Sequence, residues 1–232
     1  MQEAKTAVAR LLFKLGAIKF STNPDEFKLK LHETQPDAPK SPIYLMLRTD
    51  EHPTNPGPLT RETMSYIGHL MLDQISEESI AFDCYVGIPE AGEPFADAIG
   101  WIVSWWKDPP KRLKLQKENL GDGKRRISSK VTGDFKRGYS VLLIDDLITQ
   151  ADSKLEAIAA LETNGLVVVH VLVLVDRMQG GKEQLEAKGY KLVAVFTLGE
   201  MLELYVLEKL VPSIKADETL KYLEDNRVVL QP

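Results

Sequence analysis

The sequence predicts an α/β protein built on a doubly wound parallel sheet, and three observations carry that prediction. Apolar, β-branched runs of strand length recur at residues 80–88, 141–144, 166–175 and 192–197. The runs VLLI and LVVVHVLVLV lack polar alternation, so they read as strands buried on both faces. Segments of helical period separate these runs, which is the alternation of crossover connections in a parallel sheet. A length of 232 residues with 27% charged side chains suits one large domain with a full core.

Taken in order, residues 3–15 set Ala7, Leu11, Leu12 and Leu15 on one helical face, and Gly16 supplies the stop. This is an amphipathic lid or packing helix. Residues 20–31 read as extended, Pro36, Pro39 and Pro42 mark a loop, and SPIYLMLR at 41–48 reads as a strand. A loop at 52–58 leads into a helix over 60–75. A strand over 80–88, the loop PEAGEP and a helix over 94–106 follow, then a strand at 112–116 and a polar stretch at 117–136. Helices are expected at 155–161, 180–188 and 198–210, the last running toward a polar C-terminal tail. No internal repeat or low-complexity segment is present.

Composition narrows the function. A formal charge of −5 gives no global electrostatic case for nucleic acid, so any basic site is local. The single cysteine, Cys84, lies in the apolar run AFDCYVGI and has no intrachain disulfide partner; it reads as a buried structural thiol in a reducing compartment. No stretch is apolar enough to span a bilayer, and the N-terminal segment carries charges through its apolar positions, so a cytoplasmic protein without membrane contact is expected. Trp101, Trp105 and Trp106 fall at helical spacing and read as core packing, with a dimer face as the sharper alternative.

The stretch richest in chemistry is SVLLIDDLITQADSK, residues 140–154. A buried strand ends in Asp145 and Asp146, and a short polar turn then enters a helix. In an open α/β sheet ligands bind at such a junction. Thr149, Ser153 and the free amides of the first helical turn can hold an anion, while the aspartates can hold sugar hydroxyls or a hydrated magnesium. A P-loop needs GxxxxGK[ST], but Gly123-Lys124 is followed by Arg125 and has Glu118 at the first glycine position. A dinucleotide fingerprint also fails, because GIPEAG lacks the GxGxxG spacing. The polar stretch, with Lys117, Lys124, Arg125, Arg126, Lys130, Lys136 and Arg137 around three glycines, reads either as a mobile lid carrying positive charge or as a solvated loop.

The acidic strand end followed by Thr149 and Ser153 resembles the phosphoribosyl pyrophosphate signature of type I phosphoribosyltransferases. Further segments resemble the orotate phosphoribosyltransferase branch in the same order: LLFKLGAIKF, FKLK, KSPIYLMLR, GIPEAGEPFADAIG, LKLQKEN and DRMQGGKEQLEAKGYKLVAVFTLGEMLEL. The resemblance covers residues 7–210. It implies one phosphoribosyltransferase-like domain: a parallel sheet flanked by helices, a small N-terminal hood over about 1–58, a core over about 59–210 and a tail over 211–232. It also implies transfer of ribose 5-phosphate from phosphoribosyl pyrophosphate to orotate or a similar base, with Mg2+ held mainly through the ligand, in a homodimer whose lid reaches the neighbouring site. By the same resemblance, Asp145 and Asp146 would meet ribose hydroxyls, and Thr149, Gln150, Ala151, Asp152 and Ser153 the 5′-phosphate. Lys30, Tyr44 and Arg177 would lie by the base. Lys117 and Lys124 in the lid, with Asp146, would be the catalytic set.

This chain departs from the family pattern in phosphate-facing places. Ala151 stands for a glycine and Asp152 for a Gly, Ser or Thr; Ala91, flanked by Glu90 and Glu93, replaces a loop lysine; and the lid reads ENLGDGKRR, with Leu120 in place of a polar residue. Met46 replaces an aspartate. At an effective dielectric of ~20, a like-charge pair ~4 Å apart costs about 4 kcal/mol, so Asp152 bears directly on phosphate binding. A family member that has lost catalysis and serves as a sensor or scaffold is the alternative those changes raise.

Overall fold

The computed structural model describes residues 2–22, 27–29, 37–121 and 124–228. Lys30 lies outside the described residues, as do the side chains of Leu120 and Lys124. Five strands form one sheet, β3 (Cys84–Gly87), β4 (Lys111–Lys114), β7 (Ser140–Ile148), β8 (Val167–Asp176) and β9 (Lys191–Thr197). Their order is β4-β3-β7-β8-β9, and every neighbouring pair is parallel. The expected fold class is therefore the observed one. The chain leaves β3 toward one edge, to β4, and returns on its other side, to β7, so the switch point lies between β3 and β7.

Strand alternation divides the core. Leu142 and Ile144 face one cluster, with Phe95, Ile99 and Leu198, whereas Val141 and Leu143 face a second, with Val86, Ile158 and Leu161. Helices α2 (Arg61–Glu77), α3 (Glu93–Val103) and α6 (Leu198–Leu207) carry residues of the first cluster; α4 (Asp152–Thr163) and α5 (Gly181–Glu186) carry residues of the second. Thr60 caps α2 by accepting from the Thr63 amide, and Thr197 and Glu200 form a capping box on α6. Helix α1 (Gln2–Lys14) buries Val8, Ala9 and Leu12, so its inner face is turned from the expected one; Gly16 ends it at a φ of +70°. The N-terminal strands β1 (Ile18–Phe20) and β2 (Ile43–Leu45) make a separate antiparallel pair.

Four further expectations need correction. The polar stretch is an antiparallel hairpin, β5 (Lys117–Gly121) with β6 (Lys124–Ile127), in which Arg126 crosses to Glu118 at 2.6 Å and Ile127 is buried. The polar tail contains α7 (Ser213–Asp225), which buries Ala216, Thr219, Tyr222 and Leu223. The tryptophans are surface residues, 71% exposed at Trp101, 77% at Trp105 and 48% at Trp106, because α3 stops at Val103 and turns its inward face through Phe95, Ile99 and Val103. β8 is enclosed only toward its C-terminal end, with Val167 half exposed. Cys84, in contrast, is buried as expected, and burial pushes its thiol up to about 11. Among the described residues no helix is long and apolar enough to cross a membrane.

Candidate functional site

Parallel strands share a direction, so the loops after β3, β4, β7 and β8 gather at one edge of the sheet. The loop after β3 is pressed onto the acidic strand: the Ile88 amide donates to the Ile144 carbonyl at 2.9 Å. A Cβ on Gly92 would run into that same carbonyl, and one on Gly87 into Gly92 itself, which is why both positions are glycine. The added carboxylates of this loop are matched from the next elements. Arg112 donates to Glu93 at 2.5 Å and to Asp97 at 3.1 Å with its guanidinium over the Tyr85 ring, and Arg125 reaches Glu90 at 3.4 Å. Burial raises the Glu93 carboxyl and Arg112 opposes the rise.

The acidic pair lies inside β7, not after it, and only Thr149, Gln150 and Ala151 separate that strand from α4. Asp145 continues the alternation toward α4 and is buried. Its Oδ2 accepts from the Lys154 ammonium at 2.6 Å, with both side chains about 5% exposed, while its Oδ1 is buried with no donor hydrogen-bonded to it among the described residues. The same ammonium donates to the Leu147 carbonyl at 2.7 Å. Asp146 is half-buried and accepts from the Leu147 amide at 2.7 Å. Burial, then the neighbouring Asp145, pushes its carboxyl up to about 7, against the pull of Lys154.

Asp152 and Ser153 are not loop residues; they open α4, where Asp152 is exposed and sits favourably toward the positive end of the helix. The amides of that first turn have no intrahelical acceptor. The Ala151 amide is already engaged, donating to Gln184 Oε1 at 2.7 Å. Thr149 is half-buried, and its carbonyl accepts from Gly181 at 3.1 Å. The hairpin root is tied to the same helix, since the Ile127 amide donates to Glu156 at 2.9 Å. Lys117 is exposed at the start of the hairpin.

On the next strand, Arg177 follows β8 and its amide donates to the Ile148 carbonyl at 3.0 Å. Its side chain is 2% exposed, donating to Gln179 Oε1 at 3.1 Å and Ser41 Oγ at 3.4 Å. Among the described residues no carboxylate pairs with it, and burial pulls the guanidinium down to about 10. Gln179 Nε2 is likewise buried without an acceptor. The N-terminal residue that meets Arg177 is Ser41; Tyr44 stacks on Phe27 with ring centroids 5.7 Å apart. Helix α7 closes this end: Tyr222 donates to the Pro39 carbonyl at 3.2 Å, and the Val228 amide donates to Gln179 O at 3.2 Å.

Sequence reasoning missed Lys154, Gln184, Ser41, Gln179 and Tyr222. None of them carried a local signal in the sequence, Lys154 included, which reads as an ordinary first-turn lysine. Among the described residues no three His, Cys, Asp or Glu side chains converge to hold a metal ion.

No family model matches the chain. The orotate phosphoribosyltransferase of Aquifex aeolicus is 32% identical over 136 residues, which are 59% of this chain and 72% of the relative. The uridine 5′-monophosphate synthase of Bos taurus is 27% identical over 190 residues, 82% of this chain; the chain spans 36% of that protein's length. Among solved structures, the orotate phosphoribosyltransferase of Aeropyrum pernix superposes with a TM-score of 0.65 at 28% identity, covering 84% of this chain and 96% of the other.

Proposed function

Because the chain belongs to the orotate phosphoribosyltransferase family, we propose that it transfers ribose 5-phosphate from phosphoribosyl pyrophosphate to a ring nitrogen of orotate or a similar pyrimidine base. The observation that carries this reading is the β7–α4 junction, where two carboxylates lie in the last residues of β7 and the amides of a helix N-terminus follow three residues after that strand. Carboxylates accept from sugar hydroxyls, and helix amides donate to phosphate oxygens. One strand away, a buried guanidinium without a carboxylate supplies the partner for an anionic, planar base.

In this reading Asp145 and Asp146 orient the ribose, the amides of α4 hold the 5′-phosphate, and Arg177 with Ser41 and Gln179 holds the base. Lys117 and Lys124, both of the hairpin, are assigned to the leaving pyrophosphate. Displacement at the anomeric carbon passes through an oxocarbenium-like state, so the chain's work is positioning and charge placement with no covalent nucleophile. Asp145 is committed to Lys154 and, among the described residues, no three carboxylates converge, so in this reading Mg2+ would enter with the pyrophosphate oxygens of the ligand. When bound there, the ion supplies neutralisation of the leaving group.

We place the active form as a cytoplasmic homodimer. Trp101, 71% exposed, lines a cavity of about 740 Å³ with Asp50, Glu51, Arg61 and Asp97, an exposed surface that a second copy can cover. Sedimentation of the wild type and of Trp101→Asp tests this, a dimer giving way to a monomer being the expected outcome. The activity is tested by titrating the protein with phosphoribosyl pyrophosphate and then following orotate consumption with magnesium. Binding followed by turnover is expected; absence of binding at millimolar ligand removes the reading, and binding without turnover leaves a ligand-binding member of the family.

A further inference from the structure

A lysine three residues into a surface helix is ordinarily solvated, with its ammonium in water. Lys154 does the opposite. Its stem runs back between α4 and β7, and the ammonium spends one N–H on Asp145 Oδ2 and another on the Leu147 carbonyl, at 2.6 and 2.7 Å. The Leu147 amide donates to Asp146 Oδ1. Leu147 is therefore held at both ends of its backbone, its carbonyl by Lys154 and its amide by Asp146. Lys154, Asp145, Asp146 and the backbone between them form one closed unit.

Within that unit one fully buried acceptor, Asp145 Oδ1, is left over among the described residues. Asp145 Oδ1 is buried beside Asp146 and, among the described residues, no donor is hydrogen-bonded to it. An unmatched buried acceptor beside a second carboxylate is completed by a donor such as a sugar hydroxyl. The ammonium also cuts the charge that two adjacent carboxylates present to a substrate carrying phosphates on both sides of the sugar.

We propose that Lys154 is a positioning residue for the sugar: its ammonium anchors Asp145 by one oxygen and leaves the other beside Asp146 to receive a ribose hydroxyl. This rests on the reading of the junction as the phosphoribosyl site. It assigns to Lys154 the part of a built-in counter-ion to the acidic pair.

The test is a double-mutant cycle on Lys154→Met and Asp145→Asn, with KM measured separately for phosphoribosyl pyrophosphate and for orotate and with thermal melts to follow the fold. Each single variant is expected to raise the phosphoribosyl pyrophosphate KM by about tenfold and to leave the orotate KM within about twofold, and the double variant is expected to match the worse single, because lysine acts through aspartate. Effects that multiply to about a hundredfold, or a Lys154→Met variant with unchanged KM, overturn the proposal. If Lys154→Met does not fold, the wild-type crystal complex with phosphoribosyl pyrophosphate decides. Lys154 on Asp145 with Asp145 Oδ1 on a ribose hydroxyl supports the proposal; Lys154 on a phosphate oxygen, or Asp145 away from the ribose, overturns it. A wild type that neither binds nor turns over phosphoribosyl pyrophosphate overturns the transferase reading and this assignment with it, whereas an active wild type with an additive cycle overturns this assignment alone.

Discussion

The two halves of the cleft handle charge in opposite ways. On β7 the buried carboxylate of Asp145 is matched from within by Lys154, and the leading amide of the next helix is already held by Gln184. On β8 the buried guanidinium of Arg177 has, among the described residues, the neutral hydrogen-bond partners Gln179 and Ser41. On the proposed reading the sugar side is thus assembled before a ligand arrives, and the base side is left one anion short. Burying an unpaired charge is costly, so the fold tolerates at Arg177 what a ligand relieves.

The sharpest way to break this contrast is Arg177→Met. The kcat/KM for orotate should fall by about 10²–10³-fold, and the melting temperature should rise, because an uncompensated buried cation is gone. Lost activity together with a falling melting temperature would place Arg177 among structural residues. On the β7 side the expected effect is on pH. Asp146 titrates near 7 when folded, above its unfolded value, so its contribution to stability is full below about pH 4 and is lost as pH rises through about 7. Melts from pH 4.5 to 8.5 should show the wild type losing stability relative to Asp146→Asn over that window; parallel curves would refute the assigned coupling. Two smaller changes sharpen the comparison. Tyr222→Phe removes the bond that fastens α7 over the base end and should cost about 1 kcal/mol, with a rise of a few fold in the orotate KM only. Gln184→Ala should cost about 1 kcal/mol of stability yet lower the phosphoribosyl pyrophosphate KM about twofold, since the Ala151 amide is freed for phosphate.

The parallel sheet and the β7–α4 junction were legible because they are written locally: unbroken apolar runs, and an acidic pair before a polar turn. The class of Cys84 followed from its apolar neighbours in the same way. The hairpin was not legible, because Glu118 and Arg126 pair only after the chain reverses, and in sequence they look like a charged loop. Helix α7 hid because its inner face includes Thr219 and Tyr222 in place of a plain aliphatic stripe. The tryptophan triplet misled because helical spacing says which residues share a face and not what covers it. Lys154 is the clearest limit: nothing in a first-turn lysine announces that it folds inward, and only the depth of Asp145 beneath α4 makes that the better place for its charge.

The ladder between β7 and β8 pairs Ile148 with Asp176, and the Arg177 amide closes onto Ile148. The acidic pair and the guanidinium therefore spring from neighbouring strands, set about 4.8 Å apart by backbone hydrogen bonding alone. On the proposed reading the sheet works as a gauge for a nucleotide, with the sugar met from one strand and the base from the next. A one-residue slip of β8 would turn every side chain to the opposite face and carry Arg177 out of reach. Selectivity for ligands of the right span is in this sense a property of the main chain, and side-chain changes in the loops can retune what is gripped at either end without altering the distance between the grips.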